Sequence, residues 1–562
     1  MVGCVTAASA DTPQLEVTGG ERALRDNVSA FVAIDRYDCD APDWQLERFR
    51  QRIITAAEEA LKPFGYYAPS VSVVIAPSDT CWRAAIELSP GEPTLIRRAT
   101  VAIDPVVAAL PEITRVLATV PTTGDVLIHS RYEQLKLDLQ AALNRLGYFD
   151  HAFVRQRLDV FPSERYALID LEIDSGVRYR LGDIALTEDI LDASFLQRFV
   201  KIKPGEPFSR GALDRLQADL STTTYFDRVL VTPDYDAASD GVVPINVELT
   251  AAEKLGYFLG VGASTDQGPR FRGGYRNRRV NGRGHQFDAG ILYSPVLSQL
   301  TTAYRQPLAD PTREWQTIAL QFESEETDTS SDRRWQAGIE RTLALQRDWL
   351  FSYGASVINS RFTVADVTDT STLVMPVVGF SRRIADDPAN PRRGSALEIQ
   401  LRAGSKAVLS STDVAQLYVR YRRLWPIGSR GRLALRGEFG VTAQDDFDAL
   451  PPSIRFFAGG DNSVRGYGYQ TIGPEDDNGD VIGGSQLATA SVEYEHLLSA
   501  SWGVAAFVDA GNAFDDANID ARIGTGLGVV WRSPVGPLRA YLATPVNEDG
   551  GLRVHISFGA DL

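Results

Sequence analysis

Few residues in this chain could do chemistry, and the usual catalytic arrangements are missing. The five histidines are scattered and form no HExxH pair, and no GxSxG elbow is present. The glycines of GTGLGVV (Gly524 to Val530) follow no strand-to-helix unit that would cradle a phosphate. EDDNGD (Glu475 to Asp480) has the acidity of a calcium loop but lacks the distal glutamate, and reads as a solvated turn. No enzyme, metal site or cofactor is expected. One arginine stands out instead. AGGDNSVRGYGY (Ala458 to Tyr469) lies inside an unpatterned stretch from about Thr442 to Gly484, in a chain that otherwise alternates. The chemistry open to Arg465 is ion pairing, because its planar fork can hold two carboxylates and stays protonated. Phe456, Phe457, Tyr467 and Tyr469 would be wasted in water, so this stretch is expected to fold back onto a surface.

That surface is legible in the flanking pattern. From about Lys254 to the end, alternating stretches follow one another, each closed by Gly, Pro, Asp or Asn. They predict sixteen antiparallel strands of a transmembrane β-barrel, with the unpatterned stretch as the loop after the eleventh. The thirteenth, WGVAAFVDAGN, sets Trp502, Val504, Ala506 and Val508 on one face and Gly503, Ala505, Phe507 and Asp509 on the other. The twelfth sets Ala488, Ala490, Val492 and Tyr494 against Thr489, Ser491, Glu493 and Glu495. Facing carboxylates do not line a sandwich core, but a wet lumen tolerates them, so Asp509 and Glu493 are expected to point inward.

The first 250 or so residues follow another period, with an internal repeat. ALKPFGYYAPSVSV (Ala60 to Val73), ALNRLGYFDHAFV (Ala142 to Val154) and DLSTTTYFDRVLV (Asp219 to Val231) share a helical lead, an aromatic pair and an alternating strand. In the second copy Ser130-Arg131-Tyr132-Glu133 reads as a capping box, ahead of a stripe of Leu135, Leu139, Leu143 and Leu146. The aromatic pairs Tyr66-Tyr67, Tyr148-Phe149 and Tyr225-Phe226 read as core packing. Three small α+β modules are expected, over 13–94, 95–181 and 182–253, before a barrel over 254–562.

Composition fits a membrane barrel. The 562 residues carry a formal net charge of −16, against the basic stripe of a nucleic-acid binder. No stretch is apolar enough for a membrane-spanning helix. Ala8-Ser9-Ala10 has the small-x-small pattern of a signal-peptidase site, so residues 1–10 are expected to be the remnant of a signal peptide. If so, the mature chain keeps Cys39 and Cys81, which in an exported protein without a histidine cluster favour a disulfide.

Val464-Arg465-Gly466-Tyr467 resembles the VRGY motif of the BamA/TamA superfamily of outer-membrane assembly proteins, and Phe507-Val508-Asp509-Ala510-Gly511 is similar to its F-x-D-x-G partner. The first hairpin, Ala263 to Arg270, and the final SFGADL resemble the TamA branch, as does the count of three modules, which the resemblance identifies as POTRA domains. The resemblance implies a loop tucked into the lumen, with Arg465 meeting Asp509 and Glu493 in a clamp and Gly466 letting the backbone approach the wall. It implies a weak lateral seam between the first and last strands, here Gly256, Gly260 and Gly262 facing Val554, Ile556, Phe558 and Gly559. It also implies insertion or translocation of client outer-membrane proteins such as autotransporters in the lipid bilayer, with a TamB-like periplasm-spanning partner. The competing readings are a BamA-like general assembly factor, which normally carries five modules, and a two-partner secretion transporter, which carries two.

Overall fold

A computed structural model describes residues 12–34, 38–78, 81–187, 190–516, 519–534, 536–547 and 550–558. The expected signal-peptide remnant and Gly559 lie outside them.

Three small sheets come first, each with its strands in the order first, third, second. In the first module Gln14–Thr18 runs parallel to Trp82–Ser89, which forms a hairpin with Ser70–Pro77. Two helices, Arg22–Val32 and Asp43–Leu61, place Leu24, Val28, Phe49, Ile53 and Ala57 against Val73, Ala84 and Ile86. A disulfide joins Cys39 to Cys81, and the adjacent Trp82 donates its indole N–H to the Asp38 carbonyl at 2.9 Å.

The second module repeats this arrangement with Leu95–Ala102, Tyr166–Asp174 and Ala152–Phe161 under the helix His129–Leu146. Its leucine stripe is buried against Ala167, Ile169, Leu171 and Ile173, because the helix repeats every 3.6 residues and the strand every two. The capping box does not form. The helix begins at His129, with the extended Ile128 in the cap position and no side chain capping it, which puts Ser130 inside the first turn. The aromatic pairs do more than fill cores. Tyr148 is buried, but Phe149 packs edge-on against Tyr179, Phe208 and Tyr235 of the next segment. Tyr67 likewise reaches His129 of the second module. Tyr225 donates to the Gly284 carbonyl at 2.6 Å in the turn after the second barrel strand. The repeated aromatics thus serve as joints between successive pieces of chain.

The third sheet comprises Arg180–Leu186, Val242–Ala251 and Phe226–Pro233. Sixteen strands then form a single sheet in sequence order, from Leu255–Ser264 to Arg553–Phe558, every neighbouring pair antiparallel. Val261, Val492, Tyr494, Val504, Val508, Leu527 and Leu542 are exposed on the outer face, while Ser491, Glu493, Glu495, Phe507 and Asp509 are buried on the inner one. That apolar-out, polar-in alternation belongs to a barrel whose outer surface meets lipid. No helix among the described residues is long and apolar enough to cross a membrane. Strand one begins directly after Val242–Ala251 of the third sheet, so every odd-numbered strand starts at that end of the barrel. The connection after the eleventh, Gly431–Gln444, therefore lies at the far end.

The disulfide spans 42 residues of a small domain. Replacing Cys39 and Cys81 with serine should cost the first module about 2–4 kcal/mol. In the full-length protein it should become protease-sensitive at lower denaturant, with the barrel unaffected.

Candidate functional site

Between Gly431–Gln444 and the twelfth strand, Gln486–Leu497, the chain runs for about forty residues with neither helix nor strand, yet it is not loose. Phe447, Leu450 and Ile454 pack with Ile358, Leu373, Met375 and Val414 of the barrel. Further in, Phe456, Ala458, Val464 and Ile472 form a second apolar cluster with Leu487 and Ala513. Two features make room and hold shape. A side chain at Gly440 would collide with the Phe456 ring, 2.3 Å from the nearest ring atom. Arg455 donates to the carbonyls of Leu450, Ile482 and Asp448 at 2.8, 3.0 and 3.1 Å, tying the loop to itself. The acidic ends stay toward solvent, Asp445, Asp446 and Asp448 on one side and the turn Glu475 to Asp480 on the other, the latter closed by the Asp476 N–H bond to the Asp480 carbonyl at 2.9 Å.

At the deepest point of the loop, Arg465 is 3% exposed. Its Nε and one terminal nitrogen donate to the two oxygens of Asp509 at 2.7 and 2.9 Å, a bidentate fork, and its backbone N–H donates to the same carboxylate at 3.0 Å. The other terminal nitrogen donates to Glu493 at 2.6 Å, and Ser491 Oγ accepts a further bond at 3.3 Å. Glu493 in turn accepts from the Tyr541 hydroxyl at 2.9 Å. The guanidinium lies over Phe507, 3.4 Å from the ring centroid, and 4.6 Å from that of Tyr541. Burial opposes the charge on Arg465, but the Asp509 hydrogen bonds and the Asp509 and Glu493 carboxylates outweigh it and raise its pKa above the ordinary arginine value. Arg436 of the eleventh strand brings a second cation within 3.9 Å of Asp509 and donates to the Asp461 and Ser463 carbonyls of the loop at 3.4 and 3.1 Å. Two cations thus face the two carboxylates of the clamp, so neither carboxylate is left without a partner.

The wall opposite is built of glycine. On the fourteenth strand, Arg522–Ser533, residues 524, 526 and 528 share the inner face. A Cβ at Gly524 would stand 1.8 Å from the Arg465 carbonyl oxygen, one at Gly526 would meet Phe507 at 2.8 Å, and one at Gly528 would meet Tyr541 at 2.2 Å. The pattern GTGLGVV is therefore a trough for the loop backbone and the two rings beneath the arginine. In the loop itself Gly466 has φ +102° and lies against the Thr544 and Pro545 backbone, so a side chain there would be strained as well as crowded. Val464 is buried in the apolar cluster and Tyr467 packs against it. Tyr469 reaches across to Glu325 at 3.1 Å.

Among the seam residues, Gly256 and Gly260 lie on the first strand with no backbone within 4 Å of a Cβ, and Gly262 faces the Arg270 side chain. Val554 and Ile556 project outward. No β-ladder joins the first and last strands among the described residues. Contacts that the sequence reading missed bridge them instead: Arg270 donates to the Phe558 carbonyl at 3.2 Å, and Thr265 and Ile556 exchange bonds at 2.9 and 3.3 Å. The inward placing of Ser491 on the twelfth strand holds, while Tyr541, Arg436, Asp461 and His555 were also missed. The strand parity that placed Asp509 and Ser491 inward would have found His555, and the glycine alternation would have found the trough. Asp461 carries no sequence signal, because its place depends on the loop's path.

A family profile described as the Omp85 superfamily domain matches residues 280–560, and one described as POTRA domain TamA domain 1 matches residues 14–90. The outer membrane protein assembly factor BamA of Nitratidesulfovibrio vulgaris is 24% identical over 374 residues, covering 62% of this chain and 46% of the relative. BamA of Neisseria meningitidis serogroup B is 21% identical over 487 residues, covering 74% and 60%. The chain thus matches about half to three fifths of the length of these relatives. The crystal structure of BamA from Haemophilus ducreyi lacking POTRA domains 1–3 superposes with a TM-score of 0.68 at 16% identity, over 83% of this chain and 99% of the other, which is a likeness of fold.

Arg465→Ala leaves Asp509 and Glu493 buried without their cation and should cost the docked loop about 3–5 kcal/mol. The expected result is protease cleavage within the loop while the barrel keeps its heat-modifiable migration. Gly524→Val should free the loop similarly by displacing the Arg465 main chain, although it removes no polar contact.

Proposed function

This chain belongs to the Omp85 superfamily, and on that premise we propose that it inserts or translocates client outer-membrane proteins, working with a TamB-like partner that spans the periplasm. It is an outer-membrane barrel whose amino-terminal modules lie in the periplasm. The observation that carries the reading is the seam. Fifteen strand pairs of the barrel are joined by continuous ladders, while among the described residues the first strand and the last, Arg553–Phe558, are not joined by one. An unpaired strand edge is a template for another strand, so a client hairpin can pair there by backbone hydrogen bonds without a specific side-chain sequence. Each module sheet offers an edge of the same kind in its second strand: Ser70–Pro77, Ala152–Phe161 and Phe226–Pro233.

Several features support a TamA-like role. The first module matches a profile described for TamA, and three module sheets precede the barrel. In this reading the clamp of Arg465, Asp509 and Glu493 sets the loop's position, and clients such as autotransporters enter at the seam. The BamA names of the two relatives favour a second reading, a general assembly factor.

Affinity purification of the full-length protein from solubilised membranes separates the two. Recovery of one large periplasm-spanning protein is expected. A set of outer-membrane lipoproteins in its place would overturn the TamA-like reading in favour of the second.

A further inference from the structure

At its far end the seam is held by a junction of side chains from three separate parts of the chain. Thr265 lies in the turn between the first barrel strand and the second, Gly268–Asn277. His555 and Ile556 lie on the last strand, and Asp461 and Gly466 in the loop. The Ile556 N–H donates to Thr265 Oγ1 at 2.9 Å, which leaves the hydroxyl proton free to go elsewhere. It goes to Asp461 Oδ1 at 2.7 Å. The same oxygen receives Nδ1 of His555 at 2.7 Å. Nε2 of that imidazole accepts the backbone N–H of Gly466 at 2.9 Å, which assigns the ring proton to Nδ1. One carboxylate oxygen is therefore the common acceptor for both sides of the seam, and the last strand also grips the residue after Arg465.

Asp266, beside Thr265, completes the site by accepting the Asp461 N–H at 2.9 and 3.1 Å. Asp266, Asp461 and His555 each offer an atom within 4.8 Å of the others, a spacing that would suit a metal ion. The hydrogen bonds argue against that use. Both imidazole nitrogens are engaged, and a cation at Nδ1 would displace the proton given to Asp461 and force one onto Nε2, facing the Gly466 N–H. The cluster is built to join chain segments.

We propose that Asp461, Thr265 and His555 are positioning residues that latch the far end of the seam to the loop, so that withdrawing Asp461 loosens the first and last strands there. This rests on the seam being the working part of the barrel, but it makes a claim about geometry that needs no client. Seam and clamp then move together, because Asp461 and Arg465 lie four residues apart on one buried segment, and His555 holds Gly466. Asp461 is needed as a shared acceptor rather than as a charge. An asparagine oxygen can receive the same two bonds, an alanine none.

The test is a distance across the seam in the full-length protein in lipid nanodiscs, without client. Spin labels at V261C and V554C, both outward and exposed, are read by pulsed electron resonance in a Cys4→Ser background. A narrow distribution is expected with no further substitution. Asp461→Ala should raise the separated population at least threefold, and Thr265→Val, in an exposed turn, should do the same. The double variant should open no further than Asp461→Ala alone, and Asp461→Asn should stay closed. Asp266→Asn, which still accepts the Asp461 N–H, should stay closed too. Unchanged distances in Asp461→Ala, additive opening in the double variant, or equal opening in Asp461→Asn and Asp461→Ala would each overturn the latch. Heat-modifiable migration confirms that each variant keeps its barrel. If the distances behave as expected while client insertion is normal in every variant, the latch stands and the client-handling role of the seam falls.

Discussion

A guanidinium taken out of water must have its charge answered, and Arg465 has it answered by two carboxylates on neighbouring strands, with two aromatic rings beneath it. Most of the interior follows from that contact. Asp509 is fully buried, a costly place for a carboxylate on a barrel wall unless a cation comes to meet it. The cation comes from a loop that must cross the lumen to deliver it. The fourteenth strand gives up side chains at Gly524, Gly526 and Gly528 to admit the loop's backbone and the two rings. A glycine in a strand weakens it locally, so three on one face need such a reason.

The same segment ties the interior to the junction that lacks a ladder among the described residues. Fifteen ladders make a stiff wall, and the sixteenth junction has a single backbone pair, Thr265 N–H to the Ile556 carbonyl, backed by side chains: Thr265 from one edge, His555 from the other, and Asp461 between them. The loop therefore acts as a strut whose inner end is fixed by Arg465 and whose nearby carboxylate holds the seam. A barrel with no ladder at this junction can open without breaking one, which suits a wall that must admit another strand.

Legibility in the sequence followed range of interaction. Sixteen strands and the inward faces of the twelfth and thirteenth were readable because strand parity is strictly local. The leucine stripe of His129–Leu146 was readable for the same reason, while its start was not, because the helix begins at His129, with the extended Ile128 in the cap position, before Ser130 can cap it. The aromatic pairs were visible, but their work as joints was not, since Phe149 meets Phe208 and Tyr225 meets Gly284 only once the modules are formed. Arg465, Asp509 and Glu493 could be named from a motif and from parity. Asp461 and His555, 94 residues apart, could not be paired at all. Their contact depends on the path of a loop without periodicity and on the near-closure of the whole sheet.

The central claim is that the long loop is a packed part of the barrel interior, held by Arg465. Hydrogen–deuterium exchange of the loop amides in lipid nanodiscs tests it most directly. Residues 455–472 should exchange as slowly as the flanking strands, with the 475–480 turn exchanging at once. Complete exchange of 455–472 within seconds, in an otherwise protected barrel, would contradict it.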